Sequence, residues 1–164
     1  MPIMTDNNWE FFSRSAEQTR RLGVRLGGLL KLGDLLCLSG DLGAGKTTLV
    51  QGIAQGFGSL DPVSSPTFVL VNVYRREDGN ELHHLDVYRL GGVEEAIDLD
   101  LDTLNETGAL VIEWAERIKP VLPREALWIH MRYISDEQRN LLFEAHGDRY
   151  EHIMSEFRHQ VLGG

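Results

Sequence analysis

The sequence predicts an α/β protein with a mixed central sheet flanked by helices. Three observations carry that expectation. Two short runs, 35–39 and 109–114, are apolar almost throughout, the pattern of strands buried on both faces. Residues 15–30 place Leu22, Leu26, Leu29 and Leu30 at helical spacing. Residues 67–74 and 82–87 are rich in β-branched and aromatic side chains and flank Asp78-Gly79-Asn80, a hairpin-like turn. Buried-type strands beside a hairpin, with helices between, give a mixed sheet.

The elements follow in order. Ser15 is a suitable cap for the helix at 15–30. Gly33-Asp34 turns the chain into the strand at 35–39, and a glycine-rich loop occupies 40–45. A helix is expected from Lys46 to Phe57, ended by Gly58. The hairpin strands come next, then an acidic helix over 93–105, and the strand ALVIEW at 109–114. Pro120 and Pro123 mark a loop. Residues 126–134 and 140–146 read as strands around a polar turn, and 149–162 as a final helix.

Composition narrows the class of protein. A chain of 164 residues suits a single domain over 1–164, given the usual size of about 100–150. Its 42% hydrophobic and 25% charged content excludes disorder as the default state. Apolar runs such as 35–38 are too short for a membrane span of about 20 residues. The first residues, with Asp6 and Glu10, lack the basic and apolar regions of a secretory signal. The single cysteine, Cys37, excludes an internal disulfide and suits the cytoplasm. A net charge of −9, with no basic run longer than two residues, argues against direct tight nucleic-acid binding.

The sharpest signal is Gly40-Asp41-Leu42-Gly43-Ala44-Gly45-Lys46-Thr47, which fits G-x-x-x-x-G-K-[ST] at every fixed position. Average residue usage would produce it in roughly one chain in a few hundred of this length. A buried strand before it and a helix after it complete the context of a phosphate-binding loop, so a P-loop NTPase-like domain is expected. Glycines let successive N–H groups face phosphate oxygens, and the helix adds its positive end. Lys46 reaches the β and γ phosphates, Thr47 offers a hydroxyl to Mg²⁺, and Thr48 faces the α phosphate. The chain has only three lysines, Lys31, Lys46 and Lys119, which gives the one inside the motif added weight.

Such a loop needs an acid near the end of another strand. Glu113 ends the apolar strand, where the plainer alternative is a solvated strand end. Asp86 ends the less apolar LHHLD, where the alternative is an ion pair with Arg89. Glu94, Glu95, Asp98, Asp100 and Asp102 read as a solvated face. The turn Ser64-Ser65-Pro66-Thr67 is either an ordinary entry to a strand or a segment that senses the γ-phosphate.

Taken together, GDLGAGKTT at 40–48, SSPTF at 64–68, HLDVYRL at 84–90 and IEW at 112–114 resemble the TsaE family, also known as YjeE. That family is the bacterial ATPase component of tRNA threonylcarbamoyladenosine synthesis. The resemblance covers about residues 15–146 and leaves a helical tail at 148–164. It implies that Lys46 and Thr47 bind phosphate and Mg²⁺ and that Glu113 completes the metal site. Asp86 would be an essential acid near the attacking water or the metal. Ser65, Pro66 and Thr67 would form a switch, Trp114 would respond to nucleotide or partner, and Thr19 and Arg139 would lie near the adenine. One departure is Ser64, where the family usually carries lysine. The implied partners are TsaD and TsaB, with tRNA reached through the complex, and the implied activity is weak, partner-dependent hydrolysis of ATP to ADP. A small-molecule or nucleoside kinase and a nucleotide-dependent regulatory switch are the competing readings.

Overall fold

A computed structural model describes residues 7–41, 45–61, 71–90 and 92–163. The elements are β1 (Asn8–Ser13), α1 (Ala16–Gly27), β2 (Leu35–Gly40), α2 (Lys46–Phe57), β3 (Val71–Arg75) and β4 (Glu81–Asp86). They continue with α3 (Val93–Asp98), α4 (Leu101–Thr107), β5 (Ala109–Glu113), a 3₁₀ segment (Ala115–Val121), β6 (Ala126–Ser135), β7 (Gln138–His146) and α5 (Asp148–Gly163).

The described strands form one sheet in the order β1-β7-β6-β2-β5-β4-β3. β6, β2, β5 and β4 run parallel, while β3 and the β7–β1 extension are antiparallel, so the sheet is mixed as expected. The register of the sheet aligns Trp9, Phe143, Ile129, Leu38, Glu113 and Asp86 as neighbours in one row across six strands. Bridge partners share a face, so this row is apolar at one end and acidic at the other. Phe157 of α5 packs edge-on to Trp9, at 5.6 Å between ring centroids, which seats α5 on the same face. The opposite face carries Trp128, with Lys119 of the 3₁₀ segment 5.4 Å over its ring.

Local chemistry explains most boundaries. Ser15 caps α1 by accepting from the Gln18 amide at 3.0 Å, and the Gln18 side chain accepts from Arg14 N at 2.7 Å. α2 begins after Gly45 and ends before Gly58, both left-handed. α1 stops at Gly27, short of the expected 30, yet Leu30 is buried as the helical spacing required. The acidic helix expected over 93–105 is two helices. Asp100 interrupts it with a φ of 50°, a conformation aspartate tolerates better than most residues. Its acids Glu94, Glu95, Asp98, Asp100 and Asp102 are exposed, in keeping with a solvated face. The proline-marked loop contains the 3₁₀ segment with Pro120 inside it, since a short 3₁₀ turn tolerates a missing N–H better than a long helix does. β1 was not expected at all. Of the strand expected at 67–74, residues 67–70 lie outside the described set.

α1 and α2 meet backbone to backbone. Each carries two glycines four residues apart, Gly23 and Gly27 on one and Gly52 and Gly56 on the other. A Cβ at Gly52 would lie 2.0 Å from the Arg20 carbonyl oxygen and one at Gly56 1.9 Å from that of Val24. Cβ atoms at Gly23 and Gly27 would lie 2.4 and 2.0 Å from the carbonyl oxygens of Leu49 and Ile53. In an exposed helix interior, Gly→Ala stabilises by roughly 1 kcal/mol. At this crossing the sign should reverse: Gly52→Ala is expected to cost about 1–3 kcal/mol through overpacking. Urea unfolding would measure it, and a Gly52→Ala protein more stable than the parent would contradict the close approach.

Candidate functional site

The site is assembled where β2, β4 and β5 end together. β2 delivers Gly40 and Asp41, and α2 starts at Lys46. Leu42, Gly43 and Ala44 of the expected phosphate cradle lie outside the described residues. Gly45, with a φ of 94°, forms the N-cap of α2. Lys46 is only 5% exposed. Its Nζ donates to the Gly40 and Asp41 carbonyl oxygens, each at 2.8 Å, and stands 4.0 Å from the centroid of the Trp114 ring. Burial draws the Lys46 ammonium below its ordinary range, opposed by the charges of Glu113, Glu116, Asp41 and Asp86. Thr47 and Thr48 sit half-buried in the first turn of α2.

Glu113 is 4% exposed, which removes the reading of it as a solvated strand end. Its Oε2 accepts from His84 Nε2 at 2.5 Å, and His84 Nδ1 lies 2.9 Å from the Tyr74 hydroxyl. Asp86 is the register neighbour of Glu113, and its Oδ1 accepts from the Tyr88 amide at 2.9 Å. Burial pushes the Asp86 carboxyl above its usual range, and the Glu113 charge adds to the effect. Lys46, Asp86 and Glu113, expected from separate motifs, therefore share one electrostatic environment. Trp114 follows directly, in a left-handed conformation with a φ of 63°. Its ring lies 4.8 Å from that of Tyr88, over which Arg117 stacks at 4.6 Å.

The residues expected near the adenine are less closely joined. Arg139 reaches the loop: its Nε lies 3.5 Å from where a Cβ on Gly45 would be. That Nε is buried and has no hydrogen-bond partner among the described residues. Thr19 is buried in α1 with its hydroxyl 2.7 Å from that of Ser13, and Ser13 pairs with Arg139 in the sheet. The link between the two is thus indirect. Ser65, Pro66 and Thr67 lie outside the described residues.

Three residues of the site escaped sequence reasoning. His84 stood inside HLDVYRL, and Tyr74 at the end of a strand run, without a role for either. Glu116, whose Oε2 accepts from the Gly40 amide at 3.3 Å, had no motif to mark it.

The donors fit Mg²⁺: hydroxyl and carboxylate oxygens, with no soft ligand. Among the described residues no group of three or more His, Cys, Asp or Glu could hold a metal ion by itself.

The sequence model of the family described as "Threonylcarbamoyl adenosine biosynthesis protein TsaE" matches residues 13–141. This chain belongs to the TsaE family. Among its TsaE relatives is the tRNA threonylcarbamoyladenosine biosynthesis protein TsaE of Bacillus subtilis, 40% identical over 148 residues, which cover 89% of this chain and 92% of that protein. The protein of the same description in Streptomyces coelicolor is 43% identical over 137 residues, 80% of this chain and 93% of its own. The crystal structure of Bacillus subtilis YdiB superposes with a TM-score of 0.77 at 33% identity, covering 94% of this chain and 96% of YdiB. The mixed α/β architecture is therefore shared with a solved structure. Among the described residues of this TsaE chain, no helix is long and apolar enough to cross a membrane.

The Asp86 environment has a consequence for stability. An acid whose pKa is higher folded than unfolded lowers stability above both values and has no effect below the unfolded one. With chelator present and nucleotide absent, Asp86→Asn should therefore raise the urea midpoint near pH 7. The gain should vanish below about pH 3.5, where the unfolded-state aspartate is itself protonated. A midpoint at pH 7 no higher than the parent's would refute the crowding of the two carboxylates.

Proposed function

We propose that this chain, as a single P-loop ATPase domain over 1–164, is a cytoplasmic, Mg²⁺-dependent ATP-binding and ATP-hydrolysing component of the machinery that makes threonylcarbamoyladenosine in tRNA. It would act with TsaD and TsaB to support turnover and would reach tRNA through them. The observation that carries the reading is Lys46, buried at a glycine loop with Asp86 and Glu113 at the adjoining strand ends. Family membership supplies the biosynthetic context, and the net charge of −9 favours a protein partner over a direct grip on tRNA.

The chemistry follows from the chain's own groups. On nucleotide entry Lys46 exchanges two carbonyl acceptors for β- and γ-phosphate oxygens. Amides of the 40–48 loop surround the phosphates, and the α2 N-terminus adds its positive end. Thr47 and Glu113 would hold Mg²⁺, which when bound neutralises charge on the phosphates. Asp86, beside Glu113, orients the attacking water by accepting its proton in a hydrogen bond. Arg139 would lie near the base, with Thr19 behind it through Ser13. Ser65, Pro66 and Thr67 respond to the γ-phosphate, and Trp114, already against Lys46, registers the change.

Lys46→Ala should weaken nucleotide binding about 10- to 100-fold while the fold survives, the range set by lost charge-assisted hydrogen bonds. Calorimetric titration with ATP, beside a thermal unfolding scan, checks it; equal affinity in a folded variant would sink the site. Thr47→Val and Glu113→Gln should each reduce Mg²⁺-dependent hydrolysis on the order of 100-fold, with smaller effects on nucleotide binding. Normal hydrolysis by both across a Mg²⁺ titration would remove them from the metal site.

For the complex, affinity for TsaD–TsaB should differ between the ATP- and ADP-bound forms, because a ligand shifts an equilibrium only through differential affinity. Thr67→Ala should narrow the difference. Identical affinities with ADP, ATP and a non-hydrolysable analogue would dismiss the switch and leave the ATPase assignment intact.

A further inference from the structure

Tyr74, His84 and Glu113 lie on three adjacent strands. His84 sits opposite Val111 in the β4–β5 register, and Glu113 is two residues further along β5. Tyr74 sits opposite Leu82, two residues before His84. The three side chains thus run diagonally across one face, a spacing that long side chains bridge. All three are buried, with His84 at 0%, Tyr74 at 2% and Glu113 at 4% exposure. The line consists of two hydrogen bonds, 2.9 Å from Tyr74 to His84 Nδ1 and 2.5 Å from His84 Nε2 to Glu113 Oε2.

We propose that His84, itself oriented by Tyr74, is a positioning residue that fixes the Glu113 carboxylate for the Mg²⁺–nucleotide complex. The inference rests on the reading of Glu113 as a metal ligand and extends it to two residues with no assigned role. The chemistry sets the direction of both bonds. An ionised carboxylate only accepts, so His84 Nε2 carries the hydrogen. With the hydrogen on Nε2 alone, Nδ1 accepts from the Tyr74 hydroxyl. With Oε2 engaged, rotation of the carboxylate is stopped and Oε1 is left to face a cation. Among metal sites in general, an outer partner of this kind holds the ligand in orientation, and its loss costs about 10- to 100-fold in metal affinity. A hydrophobic core at this depth would be served as well by apolar side chains. A tyrosine, a histidine and a glutamate bonded in series leave the strand-end carboxylate rigid, which packing alone does not require.

The test uses the full chain with Mn²⁺ as the probe. Free Mn²⁺ is followed by electron paramagnetic resonance in the presence of saturating ADP, and metal-free ADP affinity is measured in parallel. His84→Leu is expected to weaken Mn²⁺ binding at least about 10-fold with ADP affinity unchanged, and His84→Gln, which retains a donor, to recover part of the loss. Tyr74→Phe, which deletes one hydroxyl, should weaken Mn²⁺ binding less than His84→Leu and in the same direction. Independently, nitrogen-15 histidine spectra of the wild type should show His84 protonated at Nε2 and bare at Nδ1, with Tyr74→Phe perturbing Nδ1. This spectrum needs no His84 variant to fold. If the wild type binds Mn²⁺ through Glu113, as Glu113→Gln would show, but the His84 and Tyr74 variants match it, the positioning role is overturned alone. A ring with no hydrogen on Nε2 overturns it as well. If wild type and Glu113→Gln bind Mn²⁺ equally, the metal reading of Glu113 fails and takes the positioning role with it.

Discussion

An ammonium group almost wholly withdrawn from water sets the terms for the rest of the site. Taking an ion out of water costs about several kcal/mol even after relaxation, unless partners compensate. Lys46 is compensated on every side: two backbone carbonyls from the end of β2, an aromatic face from Trp114, and the charges of Glu113, Glu116, Asp41 and Asp86. Each partner constrains its own element. The carbonyls require the chain to curl back after Gly40. The ring requires Trp114 to turn left-handed directly after β5. The acids require β4 and β5 to end level with one another, which their register provides. The acids in turn share that charge, and Glu113 is further held by His84. Under the proposed function, nucleotide phosphate would take the ammonium over from these partners.

The scaffold holds this cluster in place. One row of the sheet passes from Trp9 through Phe143, Ile129 and Leu38 to Glu113 and Asp86. The apolar end is clamped by α5, so the acidic end is carried on a rigid lattice. α2, which bears Lys46, is held by α1 at a distance that only glycine permits. Helix and strand ends are therefore both fixed by backbone contact, and the variable parts are side-chain tips.

Much of this was legible in the sequence. The uninterrupted apolar runs of β2 and β5 announced buried parallel strands, and the glycine-lysine motif located the start of α2. Glu113 and Asp86 were legible as strand-end acids, but burial of Glu113 was not, because it comes from strands that pair across the fold. β1 left no local trace: its order derives from pairing with β7, far away in the chain. The break at Asp100 depends on a local left-handed turn that periodicity does not report. The glycines of α1 and α2 were visible at their four-residue spacing, yet glycine within a helix reads as a weakness until its neighbour is known. His84 and Tyr74 acquire meaning only when three strands bring them into line.

The place of β1 has a consequence for how the protein comes into being. Asn8 pairs with Glu144 and Ser13 with Arg139, so this strand has its partner well over a hundred residues further along the chain. Translation proceeds at about 5–20 residues per second, so this strand waits on the order of 10 s for β7 to emerge. In that interval Trp9, Phe11 and Phe12 have no sheet to join. The edge formed by β1 is therefore added to the sheet only after β7 has been made. Trp9 and its neighbours thus stay without their covering strand until a segment made much later in translation arrives.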